Sequence, residues 1–272
     1  KSISVNFGSM TAFNSRLKSL CDNRESWLCV GLDMNPEAFG SNDLANLKDH
    51  TFNVIDATRD LAVAYKPNFA FFERWGAAGF AWLEETAMYI GDDYIKIADA
   101  KRGDIGNTAI QYADSIFGHF GFDSVTLSPY MGRDSIDPFL HDPEKGVFIL
   151  CRTSNPSAED FQNILSDDSK LYEKVAMWAN GLNDKNNVGL VVGATAPEEL
   201  TRIREISPDL SMLIPGVGAQ GGDLEHSVKV GNQSGAGLIN ISRGISFAGD
   251  MSEKAIRSAA EEYVNKMRNC IQ

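Results

Sequence analysis

The fold is indicated most directly by residues 94–104, which read YIKIADAKRGD. The segment begins as a short run of apolar and β-branched residues, which is typical of a buried β-strand. It ends in charged residues, namely Asp99, Lys101 and Asp104. A buried strand that ends in charge is expected of a parallel barrel, because functional groups there stand at the carboxyl ends of the strands.

Seven other segments have the same apolar character. The eight together are Trp27–Asp33, Val63–Phe69, Tyr94–Lys101, Ser124–Tyr130, Gly146–Ser154, Val188–Thr195, Ser211–Gly218 and Gly237–Arg243. Several are apolar on both faces, as strands of a covered parallel sheet should be. We therefore predict eight parallel strands.

Helical patterns lie between these strands. Arg74–Ile90 and Lys170–Leu182 carry apolar residues at helical spacing, and Ser252–Met267 reads as a closing amphipathic helix. Thr195-Ala-Pro-Glu198 resembles a capping box with proline near the start of a helix. The polar stretch Asn155–Ser169 is expected to be a long loop.

This alternation predicts an α/β fold, a (β/α)8 TIM barrel. We expect one barrel domain over residues 1–272, with an N-terminal helical extension before about residue 27. The main rival is an open doubly wound sheet, but no G-x-G-x-x-G follows the first strand.

Composition narrows the range of functions. The net charge of −12 disfavours binding to nucleic acid or to an anionic membrane surface. The four cysteines form no C-x-x-C pair, and the four histidines show no zinc-site spacing, so we expect no metal. Free thiols and the lack of a long apolar run predict a cytoplasmic protein.

The strongest chemical signal is the pair Asp99 and Lys101. In a regular strand, residues two apart point to the same side, and Ile95 and Ile97 suggest that this side faces the barrel interior. An unpaired buried charge is costly, so Lys66 on the neighbouring strand is expected to complete an array of alternating sign. A purely structural ion-pair network would show the same pattern, and the charges on neighbouring strand ends weigh against it.

The seventh and eighth strands end in glycine-rich segments. These are PGVGAQGG (Pro215–Gly222) and SRGI (Ser242–Ile245). Barrels frequently bind phosphate with these two loops through backbone N–H groups, and Arg243 would add a bidentate donor. Glycines that only form turns would give the same sequence pattern. The position of Arg243 next to them favours a phosphate site.

The same residues resemble a known family. DAKRGDIGNT (Asp99–Thr108) is similar to the Asp-x-Lys-x-x-Asp-Ile-x-x-Thr signature of the orotidine 5′-monophosphate decarboxylases. The segments VGLD, YKPNFAFFE, RTSNP, PGVGAQGG and SRGI also resemble that family, in order, over residues from about 28 to 246. The similarity is greatest to the longer, bacterial-type branch.

The resemblance implies decarboxylation of orotidine 5′-monophosphate to uridine 5′-monophosphate without a cofactor. Lys66, Asp99, Lys101 and Asp104 would form the catalytic array, with Lys101 as proton donor to C6. The implied substrate-binding residues are Asp33, Ile105, Thr108, Ser154, Pro215, Gln220, Ser242 and Arg243. Asp33 and Lys66 would hold ribose hydroxyls, Ser154 the pyrimidine edge, Pro215 the base, and Gln220, Ser242 and Arg243 the phosphate. Ser242 departs from members that carry glycine there, but a backbone donor survives that change.

The resemblance also implies a homodimer. Asp104, Ile105 and Thr108 would reach across to the active site of the partner subunit. The expected partners are this second copy and a small nucleotide, with no nucleic acid and no membrane.

Two other functions remain open from the sequence. Metal-dependent enzymes acting on keto-sugar phosphates share Asp-x-Lys-x-x-Asp, but they place a carboxylate at the end of the second strand, where this chain has Lys66. An ammonium group does not ligate Mg²⁺. A non-catalytic nucleotide-binding barrel would need the phosphate and base groups but not the Asp99–Lys101 pair.

Overall fold

The computed structural model describes residues 11–218 and 221–271. Eight strands form a closed parallel barrel, which confirms the predicted fold. The strands are β1 (Leu28–Leu32), β2 (Ala64–Pro67), β3 (Ile95–Arg102), β4 (Ser124–Leu127), β5 (Gly146–Arg152), β6 (Val188–Val192), β7 (Ser211–Pro215) and β8 (Gly237–Ile241).

Each strand pairs with its neighbours along the chain, and β8 closes the barrel against β1. Gly31 of β1 is in register with Lys66 of β2, and Asn240 of β8 is in register with Pro215 of β7. All eight carboxyl ends therefore meet at one rim, as parallel connectivity requires.

The core follows from the composition of the strands. Every residue of β1, β2, β4, β6 and β8 is buried, because the barrel interior covers one face and the helices cover the other. Buried charges lie in β2 and β3, with Lys66 and Asp99 towards the carboxyl ends and Lys96 at the start of β3. Polar groups at the rim are thus held by a rigid apolar base.

Helices surround the barrel. They are α1 (Phe13–Arg24), α2 (Pro36–Phe39), α3 (Leu44–Thr58), α4 (Phe69–Glu73), α5 (Gly76–Ile90), α6 (Gly106–Ala113), α7 (Leu171–Asn180), α8 (Pro197–Ile206), α9 (Leu224–Gly231), α10 (Arg243–Ser246) and α11 (Glu253–Ile271). A π-helical turn, Asp114–His119, continues α6, and 3₁₀ turns span Arg133–Ser135, Asp137–Leu140 and Pro156–Asp160. Within the described ranges, no helix is long and apolar enough to cross a membrane.

Helix α1 covers the amino-terminal end of the barrel. Phe13 is fully buried and packs edge-on against Phe148 of β5, with 6.0 Å between ring centroids. The Asn14 side chain donates to the Val188 carbonyl at 2.9 Å. The bottom of the barrel is therefore closed, and the open rim lies at the opposite end.

Two local predictions were wrong in detail. Helix α8 begins at Pro197, but its N-cap is Ala196 and no side chain caps it, so the capping box at Thr195 does not form. The segment 155–169 is not a plain loop, because it contains a 3₁₀ turn and one strand of a small hairpin, Leu165–Ser166 with Ser169–Lys170.

Candidate active site

Three charged side chains meet at the ends of β2 and β3. Lys66 Nζ lies 2.6 Å from Asp99 Oδ2, and Lys101 Nζ lies 2.6 Å from Asp99 Oδ1. The Lys66 and Asp99 side chains are 5% and 10% exposed, whereas Lys101 is 51% exposed. One carboxylate thus bridges a buried ammonium and an accessible one.

This arrangement keeps the buried pair, Lys66 and Asp99, charged. Burial alone would lower the pKa of Lys66, but the attraction of Asp99 and Asp33 outweighs it and raises that pKa above its ordinary value. Burial alone would raise the pKa of Asp99, but Lys66 and Lys101 hold it well below the usual range. The buried Lys66–Asp99 pair is therefore ionised at neutral pH.

The strand does not keep regular alternation through this segment. Lys101 has a φ of 47°, in the left-handed region that residues other than glycine seldom adopt. The pairing of β3 with β4 shifts register between Ala98 and Arg102. Asp99 and Lys101 are neighbours as predicted, but the predicted reason, a regular two-residue repeat, was wrong because the strand is irregular there. We call residues 99–101, where the register shifts, the bulge.

A cavity of about 170 Å³ lies beside the array. Its lining residues are Asp33, Lys66, Asp99, Pro215, Gly216, Val217, Asn240, Ser242, Arg243 and Gly244. Oδ1 of Asp33 is buried and has no hydrogen-bond partner among the described residues. A buried acceptor without a partner is unusual in a folded protein, so a ligand hydroxyl is its natural complement.

The far side of the cavity is suited to an anion. Helix α10 begins at Arg243, so its first N–H groups have no acceptor within the helix. The Arg243 side chain is exposed at the same place. A phosphate bound there would meet backbone donors and a guanidinium together.

Gly31 of β1 leaves room for the side chain of Ser242. A Cβ on Gly31 would overlap the Ser242 side chain, so the β1 backbone makes room for a residue larger than glycine. The Ser242 side chain therefore packs against the backbone of Gly31.

Ser154 lies two residues beyond β5, at another part of the rim. Its Oγ is buried without a hydrogen-bond partner among the described residues. Gly193 lies against it, and a Cβ there would collide with the hydroxyl. Ser154 does not line the 170 Å³ cavity, but it offers an unsatisfied polar atom of the kind that a heterocycle edge could engage.

The structure does not bring every predicted residue to this cavity. Asp104 is partly exposed and accepts a hydrogen bond from the Ile105 N–H at 2.8 Å. Ile105 and Thr108 are exposed, and none of the three lines the cavity. Gln220 lies outside the described residues.

Two polar residues at the site were missed in the sequence. Asn240 lines the cavity, and its Oδ1 accepts from the Cys29 thiol at 3.6 Å. Thr126 donates to Asp99 Oδ1 at 3.1 Å. Each interrupts an apolar strand, which is the signal that could have identified them, since a buried polar group needs a partner.

Chemically, the site combines fixed charge, backbone donors suited to an anion and one unsatisfied acceptor, Oδ1 of Asp33. No group of three or more His, Cys, Asp or Glu residues within 11–218 and 221–271 is arranged to hold a metal ion. The buried Lys66–Asp99 pair is preorganised, so it can stabilise charge without rearranging.

Fold and site together define a (β/α)8 barrel enzyme for a small phosphorylated substrate. Comparison with known proteins gives the family. Residues 26–258 match the model of the orotidine 5′-phosphate decarboxylase / HUMPS family. The chain belongs to that family.

Named relatives cover most of the chain. Orotidine 5′-phosphate decarboxylase of Natronomonas pharaonis is 50% identical over 244 residues, which are 88% of this chain and 90% of that protein. The structure of Leishmania donovani OMP decarboxylase has a TM-score of 0.84 at 40% identity, covering 95% of this chain and 100% of the other. Leishmania donovani UMP synthase has a TM-score of 0.87 at 42% identity, and the match covers 96% of this chain but 56% of that longer one.

Proposed function

We propose that the Lys66–Asp99–Lys101 array catalyses the decarboxylation of orotidine 5′-monophosphate to uridine 5′-monophosphate, a step of pyrimidine biosynthesis. The family and the named relatives support this activity. The observation that carries the assignment to these residues is that one buried carboxylate pairs with two ammonium groups, each at 2.6 Å.

The proposed reaction leaves a carbanion at C6 and uses no electron-accepting cofactor. The bond from C6 to the carboxyl carbon breaks, its electron pair stays on C6, and CO2 departs. The Lys101 ammonium faces the developing charge and then gives a proton to C6. Lys101 is suited to this role because its side chain is the accessible member of the array.

Asp99 would also act on the substrate carboxylate. Two carboxylates about 4 Å apart repel by about 4 kcal/mol at an effective dielectric near 20. Departure of neutral CO2 relieves that repulsion. Because Lys66 and Lys101 keep Asp99 ionised, the repulsion persists at neutral pH.

The rest of the substrate has a place for each polar group. The unpaired Oδ1 of Asp33 would accept a hydrogen bond from a ribose hydroxyl. The Ser154 hydroxyl would form a hydrogen bond with the edge of the pyrimidine ring. Pro215 would line the base pocket. Arg243 and the start of α10 would bind the phosphate, with Ser242 beside it.

We also propose a homodimer in which Asp104, Ile105 and Thr108 enter the active site of the partner subunit. Ile105 is 47% exposed and Tyr130 is 91% exposed, and Met131 and Ile110 are also exposed. Large apolar side chains exposed beside a rim mark a protein interface. These residues follow β3 and β4 in the chain.

Mixing two inactive variants tests the shared site. Lys101→Ala and Asp104→Ala each disable one contribution, and a heterodimer of the two contains one intact site. After exchange of subunits, an equal mixture should recover about a quarter of the unaltered activity, because half the dimers are mixed. Recovery of no activity from a demonstrably mixed dimer would place Asp104 in its own subunit's site.

We further propose that the enzyme acts in the cytoplasm. Cys21, Cys29, Cys151 and Cys270 are all free thiols. Unpaired cysteines are typical of a reducing compartment. Fractionation of source cells, with activity as the marker, tests the location.

The activity is tested with purified protein, orotidine 5′-monophosphate and EDTA, following ultraviolet absorbance. Turnover should continue in chelator, and orotidine without its phosphate should react far more slowly. Activity that chelator abolishes and Mg²⁺ restores would favour a metal-dependent enzyme. Binding without CO2 release would favour a non-catalytic nucleotide-binding barrel.

A further inference from the structure

The Thr126 hydroxyl makes three hydrogen bonds to the segment of β3 that carries Asp99 and Lys101. It accepts from the Ala100 N–H at 3.1 Å and from the Lys101 N–H at 3.0 Å, and it donates to Asp99 Oδ1 at 3.1 Å. A hydroxyl has one donor and two acceptor positions, so every position is filled. Thr126 is buried, so water cannot readily replace these bonds.

The hydroxyl lies opposite the bulge in β3. Ala98 pairs with Val125 and Arg102 pairs with Leu127, so residues 99–101 face Thr126 alone. In such a bulge, backbone groups lose their regular ladder partners and the side chains are re-aimed. The Thr126 side chain supplies an acceptor for two of those backbone N–H groups.

The same bulge holds Lys101 in an unfavourable conformation. A lysine with a φ of 47° persists only where its surroundings hold it. The bond from the Lys101 N–H to Thr126 acts directly on that backbone. The bond from Thr126 to Asp99 acts on the carboxylate oxygen that Lys101 Nζ also binds.

We propose that Thr126 is a positioning residue, whose hydroxyl holds the bulge so that Lys101 and Asp99 stay paired at the cavity. It is not placed in contact with the substrate. The effect on turnover rests on the proposed function. The effect of Thr126 on the backbone of Lys101 does not depend on the proposed function.

A purely structural role predicts different results. A buried threonine that only fills the barrel would affect the fraction of folded protein, not the turnover of each folded molecule. A positioning role lowers kcat and leaves KM almost unchanged, because ground-state contacts with ribose and phosphate lie elsewhere. A conservative variant that keeps the hydroxyl should then restore turnover.

The test compares Thr126→Val, which keeps the shape without the hydroxyl, with Thr126→Ser, which keeps the hydroxyl. For Thr126→Val we expect kcat to fall about 10- to 100-fold with KM within about threefold, because all three buried hydrogen bonds of the hydroxyl are lost. Thr126→Ser should stay within about threefold of the unaltered kcat. The matched control is Ser124→Ala, on the same buried strand, where the hydroxyl has no partner among the described residues.

Crystal structures of the variants provide the second measurement. In Thr126→Val, Lys101 should leave the left-handed region and its ammonium should separate from Asp99. If this variant folds poorly, Thr126→Ala against Thr126→Ser makes the same comparison. The inference is overturned if the hydroxyl-free variant keeps full kcat with an unchanged Lys101 backbone, or if serine restores neither.

Failure of the proposed function gives a different result. The unaltered protein would then release no CO2 from orotidine 5′-monophosphate. In that case the position of Lys101 in the Thr126→Val crystal structure alone decides whether Thr126 sets the bulge.

Discussion

Lys101 and Asp99 form an ion pair of 2.6 Å whose members differ sharply in exposure, 51% for the lysine side chain and 10% for the aspartate. The carboxylate is also bound by Lys66 from the buried side. Asp99 therefore remains compensated when Lys101 moves or changes partner. Lys101 is accessible, and Asp99 does not depend on it alone for a partner. Lys101 is therefore well suited to deliver a proton.

Replacement of Lys101 should separate activity from stability. In Lys101→Ala, kcat should fall by about 10³-fold or more, because both charge stabilisation and the proton donor are lost. The free energy of unfolding should change by only about 1 kcal/mol, since the partly exposed pair contributes little. Absorbance assays and urea denaturation measure the two quantities.

Lys229→Ala is the matched control for that variant. Its side chain is 55% exposed and pairs with Glu225 at 2.6 Å, far from the array in sequence. It should keep full activity. Near-normal turnover in Lys101→Ala would remove Lys101 from the mechanism.

Replacement of Arg243 should weaken binding of phosphorylated ligands selectively. In Arg243→Ala, the Kd for uridine 5′-monophosphate should rise about 10- to 100-fold, as expected for loss of charge-assisted hydrogen bonds. The Kd for uridine should hardly change. Calorimetry with both ligands measures the two Kd values, and Arg202→Ala is the control for an exposed arginine. An equal loss of affinity for the two ligands would exclude Arg243 from the phosphate site.

The contact between Gly31 and Ser242 should appear as coupled stability. Gly31→Ala should lower the free energy of unfolding by about 1–3 kcal/mol, because the added methyl overlaps the Ser242 side chain. Ser242→Gly should restore most of this loss in the double variant. Gly118→Ala, where the added Cβ meets open space, is the control. A double variant as unstable as Gly31→Ala would show that another neighbour is responsible.

His50 should make the stability of the protein sensitive to acid. Its ring is buried between Phe39 and Phe247, and its Nε2 donates to the Ser246 carbonyl at 2.7 Å. Burial lowers the pKa of His50, although the hydrogen bond to Ser246 opposes this. The unfolded chain therefore takes up a proton below about pH 6.5 that the folded protein resists.

The free energy of unfolding should thus fall as pH drops below about 6.5, by up to about 1.4 kcal/mol per pH unit from this group. In His50→Gln that part of the slope should vanish. His119→Gln, which alters an exposed histidine, should keep it. Urea denaturation between pH 5 and 8 measures the slopes, and identical slopes in all three proteins would assign the acid sensitivity to other groups.

The strands were predictable because most of their residues are buried on both faces. The run Val188–Thr195 contains the strand Val188–Val192, and Tyr94–Lys101 corresponds to Ile95–Arg102. Such apolar runs need no knowledge of their neighbours. Strand ends shifted by a few residues, since hydrogen bonding to adjacent strands decides them.

Predictions from local sequence patterns failed where the chain is hydrogen-bonded to backbone that is distant in sequence. At Thr195 the chain resembles a capping box, yet the neighbouring Ala194 N–H bonds to the Pro215 carbonyl of β7 at 2.8 Å. The chain there is held to a strand distant in sequence, and the helix begins without a side-chain cap. The roles of Asp104 and Thr108 depend on a partner subunit and stay predictions.

The sequence by itself determined the barrel and the identity of the charges at its rim, because periodic burial and strand-end polarity are local properties of the chain. Only the tertiary structure decided how Lys101 is presented. Its left-handed backbone and its pairing with Asp99 depend on a hydroxyl from β4, 25 residues away. No local pattern at residues 99–101 encodes that contact, since it exists only once the two strands lie side by side.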